Sequence, residues 1–70
     1  MGNKTKVKER VFFAVSNAER LSLAELESIQ TEAENFIETL PYKERGAFYW
    51  TSRLECLSML VSALRRGDNQ

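Results

Sequence analysis

Histidine is missing from this chain of 70 residues, and cysteine occurs once, at Cys56. Without histidine, Ser–His–Asp chemistry and the common zinc ligand sets have no starting member. One thiol closes no intrachain disulfide and holds no zinc alone. The three glycines stand apart, so no glycine-rich phosphate loop can be assembled. Long apolar runs are also lacking: nothing approaches the roughly 20 residues that cross a bilayer. Val11–Val15 is too short for a signal-peptide core, and no small-residue cleavage site follows it. These absences point to a cytoplasmic protein with a reduced thiol, no membrane span, no cofactor, no metal and no enzymatic activity.

What is present is helical pattern and uneven charge. Net charge is zero. Residues 1–20 set Lys4, Lys6, Lys8, Arg10 and Arg20 against Glu9 and Glu19, a net +3. Residues 21–40 carry Glu25, Glu27, Glu32, Glu34 and Glu38 with no basic residue, a net −5. Residues 41–70 return to a net +2, with Lys43, Arg45, Arg53, Arg65 and Arg66 against Glu44, Glu55 and Asp68. The simplest arrangement lays the acidic segment between two basic neighbours.

Three helices are expected, over residues 6–18, 22–40 and 41–66, with residues 1–5 frayed. The first has Val7, Val11, Ala14, Val15 and Ala18 on one side, while Phe12 and Phe13 depart from that stripe. Val11–Val15 also fits a strand, but a lone strand would have no partner. The second opens with the strongest local signal in the chain. Ser22 and Glu25 make a capping box, and Leu21 with Leu26 has the spacing of a hydrophobic staple. Its apolar face is Leu23, Leu26, Ile29, Ala33, Phe36, Ile37 and Leu40. Pro41 separates it from a third helix that should stop at Gly67. There Ala47, Trp50, Leu54, Leu57, Val61 and Leu64 alternate at spacings of three and four, a heptad seam. Tyr49, Cys56, Leu60 and Ala63 widen it to roughly 200° of the circumference. Gly46 either permits close helix approach or marks a late helix start.

The fold class is therefore all-α: one small domain over residues 1–70, with a short first helix and a long antiparallel hairpin of the second and third. A chain this size buries only about 60% of its unfolded surface, and a 200° arc exceeds what one neighbouring helix covers, so a homodimer forming a helical bundle is expected. Cys56, at the edge of the arc, reads as a small buried hydrophobe.

No catalytic, cofactor or metal residues can be assigned. The glutamates lie off the apolar face, whereas helical-bundle metal sites point carboxylates inward beside histidine. The remaining candidates are partner-binding residues. Phe12 and Phe13, beside Lys8 and Arg10, are candidates for either core or surface. Phe48 and Arg45 lie near the expected hairpin turn, with Phe48 and Met59 on the polar side of the third helix. Arg53 falls within the apolar arc, where it either bridges to a glutamate of the second helix or anchors an interface, since Arg and aromatic residues dominate binding hot spots. Failing these, the acidic face with Glu27, Glu34 and Glu38 would meet a basic partner.

The expected function is a small adaptor or modulator that binds another protein through a helical surface, in the manner of bacterial or phage regulators. The alternative is a nucleic-acid-associated transcriptional regulator using the basic first helix. The isoelectric point near 6.2 and the apolar third helix argue against it.

Overall fold

The computed structural model describes residues 3–67, and among them every regular element is helical. The elements are α1 (Asn3–Ser16), a 3-10 turn (Ala18–Arg20), α2 (Leu23–Ile37), α3 (Tyr42–Thr51) and α4 (Leu54–Gly67). The all-α class holds. Residues 3–5, expected to fray, are helical; residues 1 and 2 lie outside the described residues.

α1 ends where Asn17 leaves helical geometry and its side-chain amide donates to the Phe13 carbonyl at 3.0 Å. α2 begins as its sequence signature requires. The Glu25 backbone N–H donates to Ser22 Oγ at 3.1 Å, and the Ser22 N–H donates to Glu25 Oε1 at 2.9 Å. α2 stops at Ile37, three residues before the expected end. Thr39 and Leu40 close tight turns onto the Phe36 and Ile37 carbonyls. Arg45 then reaches back from α3, donating through Nε to the Leu40 carbonyl and through a terminal nitrogen to the Glu38 carbonyl. These are helix-end acceptors that would otherwise rely on water.

The core is built by α1, α2 and α4. Val11, Ala14, Leu26, Ala33, Leu54, Leu57 and Val61 are buried together, flanked by Val7, Leu23, Ile29 and Leu60. Each large member is worth about 1.5–3 kcal/mol relative to full exposure. Gln30 Nε2 donates to Ser58 Oγ at 3.1 Å, and Arg65 Nε donates to Glu27 Oε2 at 2.6 Å. These two links run in opposite directions along α2 and α4, so the helices are antiparallel.

The expected single helix over 41–66 is instead α3 and α4, broken at Ser52–Arg53. Neither proline nor glycine causes the break. Thr51 Oγ1 donates to the Ala47 carbonyl at 2.7 Å and Ser52 Oγ to the Tyr49 carbonyl at 3.4 Å. Such back-bonding competes with the helix ladder and bends it. Arg53 follows in the left-handed region, with φ 65, the only described non-glycine residue with positive φ. Its N–H donates to the Trp50 carbonyl, and its own carbonyl accepts the N–H of Leu57 to start α4. The left-handed conformation costs a non-glycine residue about 1–2 kcal/mol.

The break changes which face of α3 meets the core. Phe48 and Ser52 are 3% and 1% exposed, whereas Trp50, on the heptad seam, is 64% exposed and Ala47 is also exposed. Of the C-terminal half of the seam, Leu54, Leu57 and Val61 stay buried, while Leu64 at its end is exposed. The 200° arc is thus divided between two helices and does not exist as one surface. Cys56 is exposed, not buried. Gly46 lies within α3 with open space where a Cβ would stand, so it marks neither a close approach nor a helix start.

Candidate functional site

Part of the charge pattern resolves within the chain. Arg10 Nε pairs with Glu32 at 2.6 Å, Arg65 with Glu27 at 2.6 Å, and Lys4 Nζ with Glu44 at 3.1 Å. The acidic α2 is therefore bridged on one side to α1 and on the other to α4. All three pairs are solvated, and each is worth about 0–1 kcal/mol. On the α2 face, Glu34 accepts from Gln30 Nε2 at 3.3 Å, and Glu38 is exposed. Among the described residues no three His, Cys, Asp or Glu side chains gather as a metal cluster. No helix among them is long and apolar enough to cross a membrane.

The aromatic candidates separate into two groups. Phe48 is a core residue. Its ring packs against Phe36 with centroids 5.4 Å apart, and Lys8 Nζ lies 5.8 Å from its centre. Its place on the polar side of a continuous helix would expose it, but the break at Ser52–Arg53 turns that side inward. Phe48 and Arg45 are thereby committed to structure: one fills the core and the other caps α2.

Phe12 and Phe13 behave otherwise. They are 47% and 55% exposed, so neither ring completes the core. Ala14 and Val11 take those core positions. The Arg53 guanidinium lies over the Phe12 ring at 5.2 Å, within cation–π range. Arg53 is neither buried nor bridged to a glutamate of α2, as one reading of the sequence had it; it is exposed. Phe12, Val15, Ser16 and Arg53 line a shallow depression of about 300 Å³. Trp50, three residues before Arg53, stands exposed with its ring edge-on to Tyr49 at 5.7 Å and 88°.

The break in the third helix thus places a cationic side chain on an exposed aromatic ring of α1. Arg53, Phe12 and Phe13 were legible as candidates from composition. Trp50 was not, because its heptad position assigns it to the core. The signal that would have exposed it is the Thr51–Ser52 pair, two hydroxyl side chains able to compete for helix carbonyls.

Comparison with known protein families, with curated proteins and with solved structures gives no match for this chain.

Proposed function

We propose that this protein is a small non-enzymatic cytoplasmic adaptor whose closed chain binds another protein through the surface formed by Phe12, Phe13 and Arg53, and that the chain also forms a homodimer. The observation that carries the reading is the Arg53 guanidinium held 5.2 Å over a half-exposed Phe12 ring, beside a more exposed Phe13. Arginine is enriched at binding hot spots, and phenylalanine is among the residues enriched at interface cores. A guanidinium carries five N–H donors, so Arg53 near Phe12 can still offer donors to a carboxylate of the partner.

The homodimer has separate support. The chain exposes 5064 Å², against about 4,500 Å² for a compact monomer of its mass. The extents of 40 × 19 × 16 Å describe an elongated body. A specific interface needs roughly 800 Å² per partner, which the long flank of such a body can supply. The nucleic-acid alternative is weaker, since Lys4 and Arg10 of the basic helix are already paired with glutamates.

The test is capture of a partner by the wild-type chain and by Phe13→Ala, with far-UV circular dichroism and urea unfolding as controls. The reading expects a normally folded variant that loses capture. A variant that folds and captures normally removes this surface from consideration. Retardation of DNA or RNA that falls steeply with salt would favour the alternative.

A further inference from the structure

The α3–α4 connection is two residues long, and the second, Arg53, stands at φ 65. On either side of it the sequence suits helix. Ala47, Trp50, Leu54, Leu57, Val61 and Leu64 form one unbroken heptad stripe if residues 42–67 are continuous. A short hinge in an unfavourable conformation, linking segments that can join into one helix, is the geometry that permits exchange of an element between copies.

The burial pattern supplies a second, independent observation. At 100° per residue, Phe48 and Ser52 lie on the side of a straight helix opposite Leu54, Leu57 and Val61. Yet in the folded chain both sets are buried. A straight helix therefore cannot press both sets against one core. It can press Phe48 against its own α2 and Leu54, Leu57 and Val61 against a second core on its other side. Two chains related by a two-fold axis meet that condition.

We propose that two copies of this chain exchange α4 by straightening at Ser52–Arg53. Each α4 then packs on the α1–α2 pair of the other copy, and Trp50, 64% exposed in the closed chain, is covered at the crossing of the two straight helices. Straightening also withdraws Arg53 from Phe12, so the exchanged dimer lacks the cation–π surface of the closed form. The inference rests on the homodimer reading above and specifies its geometry.

The decisive contact is Gln30 with Ser58, 3.1 Å apart and on α2 and α4. Chains carrying Gln30→Cys and chains carrying Ser58→Cys, both with Cys56→Ser, are mixed at hundreds of micromolar and oxidised. Exchange predicts a disulfide-linked heterodimer. Sedimentation equilibrium follows the dimer fraction in parallel, and emission from Trp50, the single tryptophan, should shift to the blue as dimer forms. Arg53→Gly, which accepts the left-handed conformation and disfavours helix, should weaken dimerisation by roughly tenfold or more, because each dimer contains two hinges. Arg53→Ala removes the contact with Phe12 and favours helix, so it should strengthen dimerisation. Dimers without the Gln30–Ser58 cross-link overturn the exchange and leave the homodimer reading standing. Monomers at millimolar concentration for wild type overturn both. If Arg53→Ala fails to fold, the wild-type concentration series and the cross-linking pair still decide.

Discussion

The two halves of one heptad stripe meet different fates in this molecule. Leu54, Leu57 and Val61 of α4 are buried, with only the terminal Leu64 exposed, while Ala47 and Trp50 of α3 face solvent. Residue type does not separate them, since Trp50 is as apolar a candidate as any in α4. Backbone phase does. A single residue in the left-handed region turns the α3 stripe away from the core and brings Phe48 and Ser52 in instead. Periodicity identifies a stripe, but helix continuity decides whether that stripe reaches the core it was built to cover.

The comparison breaks most visibly at its two buried ends. Phe48→Ala should cost about 3–5 kcal/mol and Leu57→Ala about 2–5 kcal/mol, as expected for large-to-small changes at closed sites. Urea unfolding measured in dilute solution compares them directly. A Phe48→Ala cost below about 0.5 kcal/mol, the surface range, would restore the continuous helix and return Phe48 to the exposed side.

α2 offers the contrast to α3. Its capping box, staple and apolar face were all legible, and all seven apolar residues are buried or half-buried. The signals there are local and reinforce one another: Ser22 and Glu25 bond each other's backbone, and no hydroxyl pair interrupts the helix before Glu38. The α3–α4 break accompanies the added Thr51 and Ser52 hydroxyl bonds to helix carbonyls and depends on Arg53, a good helix former, accepting positive φ. Propensity gives no warning of that outcome. The candidate surface was legible to the same extent. Phe12, Phe13 and Arg53 stand out by type, whereas Phe48 and Trp50 exchange roles because the phase of α3 relative to α4 changes at Ser52–Arg53.

Ser22→Ala probes the legible region. Loss of its bond to the Glu25 N–H should cost about 1 kcal/mol, within a range of about 0.5–2 kcal/mol for such caps. The loss should appear as a lower urea midpoint with unchanged slope. A cost above that of Leu57→Ala would mean that the α2 entry, and not the α1–α2–α4 core, governs stability.

Gly46→Ala sharpens the α3 side with the opposite sign. Gly46 is helical, exposed, and has no atom within 4 Å of where a Cβ would stand. Alanine there removes unfolded-state freedom at no steric cost, so the variant should gain about 0.5–1 kcal/mol. A loss of stability would place Gly46 against a neighbour, as close helix approach requires.

Trp50→Ala has the smallest expected effect and discriminates most sharply. In a continuous third helix Trp50 sits on the seam between Ala47 and Leu54, and truncating it would cost about 3–5 kcal/mol like any core tryptophan. In the broken helix it is 64% exposed and touches Tyr49 edge-on. The change then falls within about 0.5 kcal/mol, the range for surface substitutions. The measurement belongs in dilute solution, where the closed chain is the species present, with tyrosine emission or circular dichroism replacing the lost tryptophan signal. A near-zero value there, beside a large loss for Leu57→Ala four residues after Arg53, locates the change of helical phase between the two positions. A large loss for both would join Trp50 and Leu57 on one buried stripe, and the left-handed Arg53 would have no structural consequence left to explain.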